Sequence, residues 1–314
     1  MADDAGAARS PGEVPRAEGV WRGHRRIGRR SAVEGQVRRP WPRTGSGGPN
    51  ALVADAVDVG SLRVTAVSLR GPKNTDTSHP RQDAYDFGLA RTTDRVVVAI
   101  ADGVSAARHS DVGAAVAART AVDQVLGMVD RSRDPGTSDV DWHHLAGAVS
   151  TALRWRAGSM GGVPPGLLAT TLDVAIVGPV SADGDSPFTR ARIVGDSTAV
   201  VDDVRGIRVL GGAAHAGGVI ADRGVSVLPS DVVPVPVVES GVLPRGSGLS
   251  LVTDGLGDVL GDGMRPGVEL FVRGWTRAES LLELVDGSSF VAAGAIDDRT
   301  AVTVWNRDTT GATG

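Results

Sequence analysis

The segment Arg95-Val96-Val97-Val98-Ala99-Ile100-Ala101-Asp102-Gly103-Val104 decides the reading of this chain. Its β-branched run from Arg95 to Ile100 is apolar at every position after Arg95, as in a strand buried on both faces, and it stops at Asp102-Gly103. An aspartate at the end of such a strand projects its carboxylate from a rigid edge. The same form recurs at Asp83, Asp254 and Asp297, while Asp196 follows Ile193-Val194 within Gly195-Asp196-Ser197.

Outward from that strand, Leu62 to Leu69 reads as a strand with Leu62, Val64 and Ala66 on one face. After Ser110, a helix N-cap candidate, Asp111 to Val129 places Val112, Ala115, Val116, Ala118, Val122, Val125 and Leu126 at helical spacing. A second helix is expected over Trp142 to Arg156. Short strands are expected over Thr170 to Val177, Arg190 to Val194, Thr198 to Val201 and Ile207 to Leu210, punctuated by Gly and Asp. Residues 211 to 246 lack periodicity and read as irregular structure or a flap. A strand over Leu249 to Thr253 ends at Asp254-Gly255, helical patterns run to about Val285, and Thr300 to Trp305 closes the chain as a strand. Helices grouped in this way favour an α+β sandwich with antiparallel sheets over a doubly wound parallel sheet.

Ordered structure is expected to begin near Ala51 or Gly60, giving a main domain over 60–307 between unstructured ends at 1–50 and 308–314. Residues 1–50 hold ten arginines against five acids, about +5, and the chain's −4 leaves about −9 for the remainder. That arm is rich in Gly, Pro and Ser and has no apolar period. A basic arm could touch nucleic acid, but the acidic main domain and the scattered tryptophans argue against it. No apolar run approaches the roughly 20 residues of a membrane span, so no membrane is expected and a cytoplasmic location is the default.

The sequence has no cysteine, which excludes disulfides, thiolate metal sites and a cysteine nucleophile. Clustered carboxylates repel one another, and hard cations bound through oxygen relieve that repulsion, so the aspartates suit magnesium or manganese. Six scattered histidines give no zinc site. Gly103, lacking a side chain, would let its carbonyl approach a metal. Taken singly, each aspartate reads as a turn residue or a cap; their ordered local contexts set them apart.

Those contexts are Arg81-Gln82-Asp83-Ala84, Ala99-Ile100-Ala101-Asp102-Gly103-Val104, Ala169-Thr170-Thr171-Leu172, Val194-Gly195-Asp196-Ser197, Val252-Thr253-Asp254-Gly255-Leu256 and Asp297-Asp298-Arg299-Thr300. In order and spacing they resemble the metal-dependent serine/threonine phosphatases of the protein phosphatase 2C type, bacterial branch. The resemblance implies an αββα sandwich of two antiparallel sheets flanked by helices. It implies two divalent cations, Mn2+ or Mg2+, bridged by Asp102, with the Gly103 carbonyl on one of them and Asp254 and Asp297 completing the pair. Asp83 would bind or orient metal-bound water, and Asp196 would help hold a third, looser cation. By the same resemblance, Asp102 and Asp254 would carry the catalytic role. A water bridging the metals would attack phosphorus in line, without a phosphoenzyme.

Two positions depart from the family pattern. The phosphate-gripping arginine expected five residues before Asp83 is Ser78, leaving Lys73, the only lysine, or Arg81 as substitutes. The histidine that often follows the Asp-Gly pair is Val104, and nearby His109 reads as a surface residue at a helix start. Of the adjacent pair Asp297 and Asp298, one should point away from the site, and Asp297 is chosen as the ligand. Thr170 and Thr171 are expected to pack or hydrogen-bond within a strand. The implied partner is a phosphorylated protein substrate with an opposing serine/threonine kinase. The alternative from another class is a catalytically weak sensor or adaptor that binds a phosphorylated partner.

Overall fold

The structure, a computed structural model, describes residues 25–27, 51–76, 79–131, 140–210, 226–260, 268–292 and 295–307. In chain order these form β1 (Arg25–Ile27), β2 (Leu52–Val59), β3 (Leu62–Leu69), α1 (Pro72–Asp76), β4 (Ala84–Leu89), β5 (Val96–Ala101), α2 (Ser110–Arg131) and α3 (Trp142–Ser159). A 3-10 turn at Pro165–Leu168 leads to β6 (Leu172–Val177), β7 (Ser186–Val194), β8 (Thr198–Asp203), β9 (Gly206–Leu210), β10 (Val237–Leu243) and β11 (Ser247–Val252). Then follow α4 (Asp254–Gly257), α5 (Val268–Thr276), α6 (Leu281–Ser288), β12 (Phe290–Ala292) and β13 (Arg299–Asn306).

Two antiparallel sheets carry the architecture, one of five strands in the order β10-β7-β6-β5-β4 and one of six in the order β2-β3-β13-β11-β8-β9. The deciding segment explains how they stack. Val96, Val98 and Ile100 of β5 pack into the core between the sheets with Leu62, Val64, Leu251 and Val302. Val97, Ala99 and Ala101, on the opposite face, pack against α2 and α3. Period-two alternation in which both faces are apolar therefore places β5 inside a four-layer stack. A third apolar cluster, built on Trp275, Phe271, Phe290 and Leu284, seats α5 and α6 on the outer face of the six-stranded sheet. The arrangement is the expected αββα sandwich.

The helices form where small residues recur with helical spacing. Ala114, Ala117, Ala118 and Ala121 of α2 are buried, and they let the helix lie close on β4 and β5. By length and mean hydropathy, 1.3 over an 18-residue window, α2 is the one helix among the described residues that could cross a membrane. Its packing is that of a core helix on a sheet. Asp141 caps α3 by accepting from the His144 amide at 2.9 Å.

Of the two expected starts, the one near Ala51 fits: the six-stranded sheet begins at β2, with an eight-residue pairing to β3, so the domain bound at 60 is too late. Two further features depart from the sequence reading. Within 1–50, Arg25–Ile27 pairs in parallel with β12. Part of the stretch read as irregular, Val237–Leu243, is the edge strand β10, in seven-residue register with β7. Residues 211–225 of that stretch lie outside the described residues, as do 308–314.

Candidate metal centre and active site

The ends of β5, β11 and the segment before β13 meet at one edge of the sandwich around a cleft of about 310 Å³. Asp83, Asp102, Asp196, Asp254, Asp297 and Asp298 line it, with Gly103, Val104 and Ser105. All five sequence-selected aspartates therefore reach one cavity, and so does Gly103. Asp83 and Asp298 are almost fully buried, at 3% exposure each.

Hydroxyls and backbone amides hold this acidic group in place. Thr253 Oγ1 donates to Asp83 Oδ2 at 2.7 Å, and Thr253 itself accepts from the Thr300 amide at 3.0 Å. Asp102 is fixed through its backbone: its amide donates to Thr171 Oγ1 at 2.9 Å, and its carbonyl accepts from the Thr171 amide at 2.8 Å and from Thr170 Oγ1 at 2.9 Å. The two threonines read as strand residues are thus supports for Asp102. Sequence reasoning passed over Thr253 and set Asp298 aside as the one of its pair that points away, whereas both Asp297 and Asp298 line the cleft. Asp298 accepts from the Gly71 amide at 2.6 Å, the Gln82 amide at 2.5 Å and Asn74 Nδ2 at 2.8 Å, so it clamps the segment that leads into Asp83. The local Thr-Asp and Asp-Asp pairs were visible, but the carboxylate that Thr253 holds and the amides that Asp298 holds lie more than 150 positions away.

Gly103 has a more immediate reason than an approaching metal. A Cβ there would stand 2.7 Å from the Gln82 carbonyl oxygen and 2.8 Å from the Ser110 backbone and side chain. The turn after Asp102 is wedged between two segments that any side chain would separate. Ser110, the expected cap, is buried, and its hydroxyl accepts from Gln82 Nε2 at 2.8 Å.

The electrostatics are those of an acid cluster short of counter-charge. Burial first, then the neighbouring Asp298, push Asp83 up to about 7, against hydrogen bonds from Thr253 and Thr300 that lower it. Burial and the Asp83 and Asp254 charges raise Asp102 well above the ordinary carboxylate range. Asp254 rises to about 6, through burial first and then the charges of Asp297 and Asp196. The Asp102 side chain lies within hydrogen-bonding reach of those of Asp83 and Asp254. Among the described residues no three acids close on a single point as a finished ligand cage. The donor set nonetheless fits hard cations: it is all oxygen, it is converging, and it is held against its own repulsion.

The expected phosphate-binding residues differ in placement. Lys73 Nζ lies 2.7 Å from Asp297 Oδ1 and 3.0 Å from Ser105 Oγ, at the rim of the cleft. Arg81 does not line the cleft; burial lowers its pKa, opposed by the charges of Asp83 and Asp298. Ser78 lies outside the described residues. His109 is absent from the lining, where Val104 is present.

A family model described as protein phosphatase 2C matches residues 70–283. No curated protein matches the sequence. Among solved structures, the serine/threonine phosphatase of S. agalactiae is similar at 13% identity and a TM-score of 0.51, covering 78% of this chain and 99% of that one. Serine/threonine phosphatase Stp1 from Staphylococcus aureus is similar at 14% identity and a TM-score of 0.51, covering 81% of this chain and 97% of that one. At these identities the likeness is one of fold.

Proposed function

From the premise that the chain belongs to the protein phosphatase 2C family, we propose that it is a metal-dependent phosphatase acting on phosphoserine and phosphothreonine in proteins. The observation that carries this reading is the convergence of Asp83, Asp102, Asp196, Asp254 and Asp297 on one cleft. Asp102, the Gly103 carbonyl, Asp254 and Asp297 would hold two cations, Mn2+ or Mg2+, with Asp83 beside them and Asp196 serving a third. Such cations supply a water that is nucleophilic near neutral pH and neutralise charge on the phosphoryl oxygens.

The chain's own residues do the rest. Thr170, Thr171 and Thr253 keep Asp102 and Asp83 from turning away as the charge in the cleft changes. Lys73, the cation at the rim, binds a substrate phosphate oxygen when it exchanges its contact with Asp297. Arg81, outside the lining, acts through its charge on Asp83 and Asp298. No side chain is asked to form a bond to phosphorus. The substrate is a phosphorylated protein, the opposing enzyme a serine/threonine kinase, and the place of action the cytoplasm.

One observation favours a second reading: the Lys73–Asp297 ion pair, which ties the rim cation to one of the proposed ligands, suits a weak sensor or adaptor that binds a phosphorylated partner. Hydrolysis of a phosphothreonine peptide, measured with manganese, magnesium or excess chelator, separates the two. The enzyme reading expects turnover that needs either metal; full activity in chelator, or binding of the phosphopeptide without any turnover, would overturn it.

A further inference from the structure

The Gly195-Asp196-Ser197 segment is more than a loop that carries an acid. It is the crossing from β7, in the five-stranded sheet, to β8, in the six-stranded sheet. The crossing is short, three residues between the strands, and its first residue is closely packed: Gly195 has φ +102°, and a Cβ there would stand 2.5 Å from Thr171. Asp196 itself is exposed at the cleft edge, so its position depends on what holds its neighbours.

One side chain holds them from inside. Arg190 of β7 is 1% exposed and lies at the end of the core between the sheets. Its Nη2 donates to the Ser197 carbonyl at 2.9 Å, one residue beyond Asp196. The rest of the guanidinium is committed: Nε to both Asp173 oxygens at 3.1 and 2.9 Å, Nη2 to Asp173 Oδ2 at 2.6 Å, and Nη1 to Glu239 Oε2 of β10 at 2.8 Å. Burial works against the charge, but Asp173 and Glu239 outweigh it and raise the pKa of Arg190. A planar fork locked on two carboxylates leaves its remaining donor no freedom, and that donor fixes the start of β8.

We propose that Arg190, oriented by Asp173 and Glu239, is a positioning residue for Asp196: it sets the crossing so that the Asp196 carboxylate faces the cleft. The proposal rests on the reading of Asp196 as a ligand of the looser cation. It differs from ordinary core stabilisation because it requires the effect of Arg190 to pass through Asp196.

The test replaces the buried pair by apolar groups in one variant, Asp173→Leu with Arg190→Met. This removes the carbonyl anchor together with both fully buried charges and leaves only the half-buried Glu239 to turn to solvent, a change that folded proteins often accept. Manganese binding by calorimetry and phosphopeptide hydrolysis as a function of manganese are measured on wild type, on this variant, on Asp196→Asn and on their combination. The expected result is a loss of about tenfold in affinity at the weaker cation site, the tight sites unchanged, and no further loss when Asp196→Asn is added. Independent losses that multiply would overturn the positioning role, as would wild-type affinity at the weak site in the apolar-pair variant. If that variant does not fold, Glu239→Gln, at a half-buried position, provides the same comparison with a smaller expected effect. If Asp196→Asn alone changes neither measurement, the cation reading of Asp196 falls and the positioning role falls with it.

Discussion

Two sets of buried or half-buried aspartates in this molecule have opposite surroundings. Asp173 and Asp202, both fully buried, each face a guanidinium: Asp173 takes Arg190, while Asp202 takes Arg277 through bonds of 2.7 and 2.6 Å and Thr276 at 2.8 Å. Asp83, Asp102 and Asp254 face each other, with threonine hydroxyls and amides for support. The first set is neutralised by the chain and belongs to the scaffold. The second keeps its repulsion, and its carboxyls bind protons well above the usual range until something with more positive charge arrives. Burial alone marks neither set as functional; the missing counter-charge does.

The comparison breaks most sharply in turnover. Asp102→Asn removes charge at the centre of the cleft and is expected to lower phosphopeptide hydrolysis by about a thousandfold or more, with folding intact by circular dichroism. Wild-type turnover in this variant would move the active site elsewhere.

In the metal-free protein, stability should separate the two sets by sign. Asp173→Asn strands Arg190 in the core, and removing one partner of a buried pair costs about 3 to 5 kcal/mol. Asp83→Asn removes repulsion from Asp298 and Asp254, so its melting temperature without metal should rise. Thermal melts in chelator compare them; a fall of equal size in both would erase the distinction.

A pH series sharpens the same point. Asp83 at about 7 and Asp254 at about 6 lie above the ordinary value of 3.8, so over that window the folded, metal-free protein holds more protons than the unfolded chain. Stability is greatest at the acidic end and is lost as pH rises through about 6 to 7. The metal-free protein should therefore melt lower at pH 8 than at pH 5.5, and Asp83→Asn should flatten that slope. Saturating manganese, competing with those protons, should raise melting most at pH 8. A metal-free melting temperature that climbed with pH would contradict the account of the cleft.

The smallest effect concerns the arm. Removing residues 1–50 takes away the pairing of Arg25–Ile27 with Phe290–Ala292 but leaves both main sheets whole. Hydrolysis should stay within about twofold and melting should fall only slightly, since a three-residue pairing contributes little by itself. A large loss in either would make the arm part of the domain.

How much could be read in advance follows a physical line. β5 and the five aspartates were legible because an apolar run and an acid at its end are local signals. β2 was harder: Leu52–Val59 carries Asp55 and Asp58, and it becomes a strand by pairing with β3 at the sheet edge. β10 was read as irregular because its Pro-flanked valines are largely exposed and its register comes from β7. The supports at Thr171, Thr253 and Asp298, and the Arg190 anchor, were invisible for a related reason. Each is an ordinary residue whose meaning comes from a partner that only the fold brings near.

The central claim is that the cleft's uncompensated carboxylates are cation ligands, and equilibrium binding of manganese, followed by calorimetry on wild type and Asp102→Asn side by side, tests it most directly. The account predicts at least two ions per wild-type chain, proton release on binding, and loss of the tight sites in the variant. No manganese binding by the wild type at millimolar concentration, or equal binding by both proteins, would contradict it.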